Sequence, residues 1–239
     1  MIPKCFKKES LPTYFCPGCG YGIILKALGN VIDRLEISQR SVIGLDIGCS
    51  LLAWDLFKVD TIQTHHGRTT PVMAGFKFAK PESVVLALTG DGGGYAIGLQ
   101  ALLHSAHRND LITVILVNNT LYGMTGGQMA PTTLPKEITE TTPSGRNTKK
   151  TGLPFLGPEI IKILTNKHAY IARASIRNPL KVEEYIEKAI KNQIHGKGFS
   201  FVEILSVCPI NWKTDAKETF DFLEKIEQAY PSGELKSNE

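Results

Sequence analysis

Hydrophobic positions along the chain alternate between short apolar runs and stretches with helical spacing. Residues 22–35 carry apolar side chains every three or four positions, which predicts an amphipathic helix. Apolar runs typical of buried strands follow at 41–47, 59–64, 84–88, 111–117, 170–176 and 199–207. Further helical patterns lie between them at 71–80, 96–108, 158–167 and 179–194. Strands and helices in alternation predict parallel βαβ units, and hence a doubly wound, mostly parallel α/β sheet.

The same pattern predicts one domain over residues 1–239, with decorations. Residues 1–15 are mixed and punctuated by proline, which indicates an N-terminal arm, and the main domain spans 16–212. Residues 132–158 are rich in Thr, Pro, Gly and Lys without periodicity, which favours a functional loop or lid; the alternative is a flexible surface insertion. Residues 231–239 are polar and are predicted to form a disordered tail.

Composition narrows the class of protein. A chain of 239 residues that is 42% hydrophobic can bury a substantial core. Its net charge of +4 is too weak to indicate a nucleic-acid partner. No window approaches the apolar length of a membrane span, and the first residues lack the apolar core of a signal peptide, so we expect a cytoplasmic protein without a membrane partner. Thiols are kept reduced there, so the five cysteines favour metal ligation or buried packing over disulfides.

Unusual polar residues gather where the predicted strands end. In an open parallel sheet, ligands bind outside the carboxyl ends of the strands. The motifs found there are Gly48-Cys49-Ser50, His65-His66-Gly67-Arg68, Gly90-Asp91-Gly92-Gly93-Gly94, Asn118-Asn119 and Cys208-Pro209. One edge of the sheet therefore collects most of the candidate chemistry.

The strand ending before Gly90 carries the most specific motif. Its glycines let the backbone approach a phosphate closely, and the following helix start offers free amides. The Asp91 carboxylate would repel a diphosphate unless a cation lay between them, and Mg²⁺ suits that position. One βαβ unit brings Asn119 beside Asp91. Alone, Asp91-Gly92 could be a hairpin turn and Asn118-Asn119 an ordinary loop, but together they match the thiamine diphosphate fingerprint. A dinucleotide site is poorly supported, because no G-x-G-x-x-G follows a strand.

Over residues 14–208 the chain resembles the β subunit of the 2-oxo-acid:ferredoxin oxidoreductases. The blocks that carry the resemblance are Cys16-Pro17-Gly18-Cys19-Gly20, Gly48-Cys49-Ser50, His66-Gly67-Arg68, Gly90-Asp91-Gly92, Asn119, Tyr122-Gly123-Met124-Thr125-Gly126-Gly127-Gln128 and Cys208-Pro209. The chain departs from the family pattern in two places. Gly93 stands where many members carry a second acid, and Ile210-Asn211-Trp212 follows Cys208-Pro209.

The resemblance implies a thiamine diphosphate site with Mg²⁺ bound by Asp91, Asn119 and the backbone carbonyl of Leu121. It implies that His66 and Arg68 are catalytic, although a histidine at a strand end can also be purely structural. The residues expected to contact the cofactor are Ile47, Gly48, Ser50, His66, Gly90, Asp91, Gly92, Gly93, Asn119, Leu121, Tyr122, Gly123, Met124 and Thr125.

The resemblance also implies a [4Fe-4S] cluster held by Cys16, Cys19, Cys49 and Cys208. A C-x-x-C turn and two cysteines at strand ends can converge on one side of the sheet, which agrees with this assignment. Spacing alone leaves a structural zinc open as the alternative. Cys5 matches no block and is expected to have no role.

The implied reaction is oxidative decarboxylation of a 2-oxo acid to acyl-CoA and CO₂, with electrons passed through the cluster to ferredoxin in anaerobic metabolism. The glutamate that activates thiamine would come from the pyrimidine-binding domain of an α subunit, with γ and ferredoxin-like subunits as further partners. We therefore expect the chain alone to be inactive. The alternatives are a non-redox thiamine diphosphate-dependent decarboxylase or synthase subunit with a structural zinc, and a subunit that only serves assembly. Pyruvate, 2-oxoglutarate and branched-chain acids are all open as substrates, and the short C-terminal part favours a branched-chain or general 2-oxo acid.

Overall fold

The computed structural model describes residues 2–237 and is built around a central sheet. The strands are β1 (Ser41–Leu45), β2 (Asp60–Gln63), β3 (Val84–Gly90), β4 (Thr113–Asn118), β5 (Leu121–Tyr122), β6 (Gln128–Met129), β7 (Tyr170–Ser175), β8 (Ser200–Leu205) and β9 (Gly233–Lys236). The helices are α1 (Tyr21–Arg34), α2 (Thr69–Ala79), α3 (Leu99–Arg108), α4 (Thr148–Thr151), α5 (Gly157–Leu164), α6 (Pro179–Ile194), α7 (Pro209–Trp212) and α8 (Ala216–Ala229). Seven strands form one sheet in the order β2-β1-β3-β4-β8-β7-β9, while β5 and β6 form a separate antiparallel ribbon.

Helices cover both faces of the sheet, as the alternating pattern predicts. Strands β1, β4, β7 and β8 are buried at every position, because each side of the sheet is packed against helices. Helices α1, α6 and α8 contribute to the core on one face, and α2, α3 and α5 to the core on the other. Every pair in the main sheet is parallel except β7 with β9. The doubly wound, mostly parallel prediction is confirmed.

The predicted strands and helices are all present, with shifted ends. The helix predicted from residue 96 begins as α3 only at Leu99, after a π-helical turn at Gly93–Ile97. Helix α8 was missed by the pattern analysis, although its start carries a recognisable signal. The Asp215 side chain accepts from the Glu218 amide and the Glu218 side chain from the Asp215 amide, which makes a capping box.

The predicted N-terminal arm is wrong for the segment around Phe6, which is part of the core. The Phe6 ring packs edge-on against Phe57 with a centroid distance of 5.0 Å, and Cys5 is buried beside it. The Asp33 carboxylate accepts hydrogen bonds from the amides of Lys4 and Cys5, the latter at 2.9 Å. Burial of these side chains against α1 is the physical reason that the segment is not detached.

The predicted disordered tail is also wrong over Gly233–Lys236, which form strand β9 beside β7. Pairing satisfies backbone groups that would otherwise form an open edge on β7. The Lys236 ammonium donates to the Thr165 carbonyl oxygen at 2.7 Å, which fixes the end of the strand. Asn238 and Glu239 lie outside the described residues.

The segment 132–158 is held in place by a buried arginine. The Arg146 guanidinium donates to the carbonyl oxygens of Pro131 at 3.0 Å and Gly152 at 3.1 Å, and also to that of Thr133. These bonds contradict the alternative of a flexible surface insertion. None of the helices within residues 2–237 is long and apolar enough to cross a membrane.

Candidate functional site

A cleft of about 290 Å³ opens at the carboxyl ends of the central strands. It brings together every residue predicted to contact the cofactor: Ile47, Gly48, Ser50, His66, Gly90, Asp91, Gly92, Gly93, Asn119, Leu121, Tyr122, Gly123, Met124 and Thr125. Its wall also includes residues that were not predicted as cofactor contacts: Tyr21, Cys49, Ile97 and Val117. The strand ends thus converge as the sheet topology requires.

Asp91 and Asn119 follow neighbouring strands, since Gly90 of β3 is the register partner of Val117 of β4. Asp91 is 2% exposed, and its carboxylate accepts from the Gly92 amide at 2.9 Å and from the Thr132 hydroxyl. Burial raises the pKa of Asp91 to about 7.

Asp91, Asn119 and Leu121 form one corner of the cleft, and its oxygen atoms are suited to binding a metal ion. Asn119 is 8% exposed, and its side-chain amide makes no hydrogen bond to any part of the chain that the structure describes. Leu121 lines the same cleft. A carboxylate, an amide oxygen and a backbone carbonyl are the hard oxygen donors that Mg²⁺ prefers, so the donor set fits that ion.

The ring of Tyr122 packs closely against the backbone of the loop after β3. A Cβ on Gly92 would overlap the ring of Tyr122, whereas a Cβ on Gly90 would meet nothing within 4 Å. The backbone is therefore packed tightly against Tyr122 at Gly92 and has open space beside it at Gly90. Such a glycine loop before a helix suits a phosphate group.

The two residues predicted to be catalytic line adjoining cavities. His66 is exposed and lines the cleft. Arg68 lies instead in a neighbouring pocket with His65 and Gln63, and its guanidinium donates to the Ile97 carbonyl oxygen at 3.2 Å. Ile47 lines both cavities, so the second pocket adjoins the first.

The four motif cysteines are neighbours at one end of the cleft. Cys16 and Cys19 flank the turn before α1. A Cβ placed on Gly18 in this turn would lie 3.5 Å from the ring of Pro209, the residue that follows Cys208. Burial, and then the neighbouring thiols of Cys19 and Cys208, raise the pKa of Cys49 to about 12. Within residues 2–237, no three His, Cys, Asp or Glu side chains are arranged to hold a single metal ion.

Gly123 lies between Cys49 of the cysteine group and Asn119. A Cβ placed on Gly123 would lie 3.1 Å from the Cys49 sulfur and 3.4 Å from the Asn119 amide nitrogen. The thiol and the amide therefore face one point on the wall of the cleft.

Cys5 lies apart from this group. Its thiol donates to the Gly29 carbonyl oxygen at 3.4 Å, and burial raises its pKa to about 12. It contributes packing between the N-terminal segment and α1.

Three side chains that support the site were missed by the sequence analysis. Asp46, directly after β1, is fully buried, and a charged residue ending an apolar run was an available signal. Thr132 and Asn211 contact Asp91 and Cys208, respectively. No local pattern identifies these two, because their partners are distant in the sequence.

The family model for the C-terminal TPP-binding domain of thiamine pyrophosphate enzymes matches residues 46–204. This range includes the cleft residues from Ile47 to Thr125, strands β2, β3, β4 and β7, and all but the last residue of β8.

Curated relatives are subunits of 2-oxo-acid oxidoreductases. Ketoisovalerate oxidoreductase subunit VorA of Methanothermobacter thermautotrophicus is 40% identical over 225 residues, covering 92% of this chain and 46% of the relative. The chain thus spans about half the length of that protein. The 2-oxoglutarate synthase subunit KorB of Archaeoglobus fulgidus is 36% identical, covering 92% of this chain and 78% of the relative.

A solved structure has the same fold over the full chain. The 2-oxoglutarate:ferredoxin oxidoreductase of Magnetococcus marinus, determined with 2-oxoglutarate, coenzyme A and succinyl-CoA bound, matches with a TM-score of 0.82 and 29% identity, covering 100% of this chain and 86% of that one. Together with the cleft and its cysteines, these matches place the chain in the family of thiamine pyrophosphate-binding subunits of 2-oxo-acid:ferredoxin oxidoreductases.

Proposed function

We propose that this chain is the β subunit of a 2-oxo-acid:ferredoxin oxidoreductase that converts a 2-oxo acid and coenzyme A to acyl-CoA and CO₂. Electrons would leave through a [4Fe-4S] cluster to ferredoxin. The observation that carries the proposal is the position of Gly123, beside both the Cys49 sulfur and the Asn119 amide. A redox group on the cysteines and a cofactor in the cleft would share this wall, which suits electron transfer between them.

The cofactor half of the proposal assigns thiamine diphosphate and Mg²⁺ to the cleft. Asp91, Asn119 and the Leu121 carbonyl would hold the ion, and the backbone from Gly90 to Gly93 would bind the diphosphate. When bound, thiamine diphosphate supplies a carbon nucleophile that attacks the 2-oxo group and stabilises the charge left after CO₂ departs. His66 is placed at the cleft to bind or protonate oxygen atoms of the substrate.

The redox half assigns the cluster to Cys16, Cys19, Cys49 and Cys208. A structural zinc on the same thiols would leave the reaction without an electron acceptor. Iron and acid-labile sulfide, measured on anaerobically purified protein together with its visible absorption, distinguish the two. We expect iron and sulfide in the wild type and in Cys5→Ala, and their loss in Cys208→Ser. Zinc without sulfide would overturn the redox assignment.

The assignment of partner subunits follows from the family and from the position of Asp91, the carboxylate that lines the cleft. Asp91 lines the cleft, but its position suits the metal rather than the aminopyrimidine ring. We assign the activating glutamate to the pyrimidine-binding domain of an α subunit, with γ and ferredoxin-like subunits in the same assembly and a cytoplasmic location. The chain purified alone is then inactive, and full 2-oxo-acid oxidation without partners would contradict this assignment.

The substrate is tested on the complex that co-purifies with a tag on this chain. Ketoisovalerate ranks first, because the two VorA relatives are 40% and 41% identical, against 36% and 37% for the KorB relatives of archaea. The assay measures coenzyme A-dependent ferredoxin reduction with ketoisovalerate, 2-oxoglutarate and pyruvate. Asp91→Ala should abolish turnover while the exposed Asp60→Ala control retains it. Unchanged activity in Asp91→Ala would instead indicate an assembly subunit.

A further inference from the structure

Asp46 is a fully buried carboxylate at the end of β1, where the strand meets the cofactor cleft. Its Oδ1 atom accepts from the Gly67 amide at 2.8 Å and from the Ile47 amide at 3.0 Å. Its Oδ2 atom accepts from the Thr89 hydroxyl at 2.7 Å. No lysine or arginine forms an ion pair with it in the described part of the chain, 2–237. Neutral donors therefore replace the water that this carboxylate loses on burial.

These bonds join three strand ends. Ile47 continues from β1, Gly67 follows β2, and Thr89 lies near the end of β3. The carboxylate thus ties the edge of the sheet together at the point where the cleft begins.

The turn that contains Gly67 has little freedom. Gly67 adopts a φ of +63°, and a Cβ on it would lie 2.8 Å from the Cα of Gly98, just before α3. The turn is therefore held between Asp46 on one side and the start of α3 on the other. His66, the residue before Gly67, takes its place in the cleft from this turn.

Asp46 also occupies the space that a side chain at position 93 would need. A Cβ on Gly93 would lie 3.0 Å from the Cγ atom of Asp46 and closer still to Oδ2, with the Thr89 hydroxyl also at 3.0 Å. A side chain at 93 and the carboxylate of Asp46 cannot share this volume.

We propose that Asp46 is a positioning residue of the cleft: its carboxylate fills from β1 the volume that a side chain at position 93 would need, and it holds the His66–Gly67 turn beside the Gly90–Gly93 loop. The role of the turn rests on the proposed function, since it matters for catalysis only if thiamine diphosphate binds in the cleft. The exchange of space between positions 46 and 93 is a property of the fold and is independent of the cofactor.

The exchange is tested with a double-mutant cycle on the full chain, comparing wild type, Asp46→Gly, Gly93→Asp and the double variant. Urea unfolding reports stability without cofactor. We expect each single variant to be less stable than the wild type, and the double variant to be clearly more stable than the sum of the two losses predicts. Additive losses would overturn the exchange.

A second comparison with a smaller substitution keeps the test informative if the first variants fail to fold. Gly93→Ala adds only a Cβ, so it should destabilise the chain when Asp46 is present and have a much smaller effect in the Asp46→Gly background. Equal effects of Gly93→Ala in the two backgrounds would also overturn the exchange. Asp60→Gly, an exposed position on β2, is the matched control and should not couple to position 93.

The positioning role is tested in the assembled complex by titrating thiamine diphosphate. Asp46→Gly should weaken the apparent affinity by about 10-fold, the scale typical of losing a supporting contact around a metal or cofactor site. The double variant should recover most of that loss.

A kinetic cycle with His66 distinguishes positioning from general destabilisation. If Asp46 acts through the turn, adding His66→Ala to Asp46→Gly should lower kcat little further, whereas independent effects would multiply and overturn the role. A wild-type complex that binds no thiamine diphosphate would refute the proposed function, while the unfolding cycle would still report on positions 46 and 93.

Discussion

The side-chain amide of Asn211 lies 3.4 Å from the sulfur of Cys208, to which it donates. The same nitrogen donates to the Gly123 carbonyl oxygen at 2.6 Å. Asn211 thus connects a proposed cluster ligand with the loop that lies beside Asn119. Asn211 thereby places a hydrogen-bond donor at the edge of the proposed cluster site.

Removal of this donor should make the cluster harder to reduce. Hydrogen bonds to cluster sulfurs stabilise the more negative, reduced state, so Asn211→Ala is expected to lower the midpoint potential. Asn211→Asp keeps the shape but replaces the donor by a negative charge, and it should lower the potential further. A redox titration followed by electron paramagnetic resonance measures both. An unchanged potential at full iron content would contradict a contact with the cluster.

Thr132 supports the carboxylate of Asp91, which we propose as a Mg²⁺ ligand. Its hydroxyl donates to Asp91, and its carbonyl oxygen accepts from the buried Tyr230 hydroxyl at 2.6 Å. Thr132→Val should lower the affinity for Mg²⁺ by about 10-fold or more, because contacts that orient a metal ligand typically contribute on that scale. Thr132→Ser should retain most of the affinity, and Thr148→Val serves as the control. Superimposable Mg²⁺ activation curves for Thr132→Val and wild type would show that this hydroxyl is dispensable.

Glu137 should make the stability of the chain depend on pH. Burial raises the pKa of Glu137 to about 8, although its carboxylate accepts from the Thr120 hydroxyl and the Leu134 amide. The folded chain holds this proton more tightly than the unfolded chain. The stability that the proton provides is therefore complete at pH values below the unfolded pKa, about 4.3, and is lost as the pH rises toward 8.

Glu137→Gln removes this titration and should flatten the decline in the free energy of unfolding between pH 5 and pH 8. Urea unfolding of the full chain at several pH values in this range measures the difference from wild type. Glu140→Gln, at an exposed position, is the control and should leave the pH dependence unchanged. Parallel curves for wild type and Glu137→Gln would refute the prediction.

Arg173 and Glu203 form an ion pair buried within the sheet, with side chains that are 1% and 0% exposed. Arg173→Leu should destabilise the chain by about 3–5 kcal/mol, because Glu203 would remain buried without its cationic partner. Adding Glu203→Leu should recover much of this loss. The half-exposed Arg34, paired with Glu183 at 2.6 Å, provides the control: Arg34→Leu should cost only about 0–1 kcal/mol. Urea unfolding measures all four proteins, and equal losses for Arg173→Leu and Arg34→Leu would contradict the distinction.

Several parts of the fold could be predicted because their signals are local. Strands buried on both faces produce continuous apolar runs, and those of β1, β3, β4, β7 and β8 were recognisable for that reason. Strand β9 is short and partly exposed, so its sequence resembles a polar tail. Its existence depends on the free edge of β7, which is more than fifty positions earlier in the chain. The burial of Phe6 likewise depends on its contact with Phe57, which is distant in the sequence.

The sequence by itself determined which edge of the sheet carries the chemistry. Parallel strands with right-handed crossovers must end on the same side, so Asp91 and Asn119 were bound to meet once β3 and β4 were recognised. The same rule brought the cysteine motifs to that edge. These conclusions need only the direction of each strand, which the pattern of apolar residues supplies.

The tertiary structure alone decided how the side chains at that edge support one another. It placed Arg68 in a cavity beside the cleft that His66 lines, and it placed Asp46 in the space left by Gly93. It also brought Thr132 to Asp91 and Asn211 to Cys208. Contacts of this kind join segments that are distant in the sequence and depend on distances of a few ångströms. No periodicity in the chain encodes them, because only the packing of the loops sets those distances.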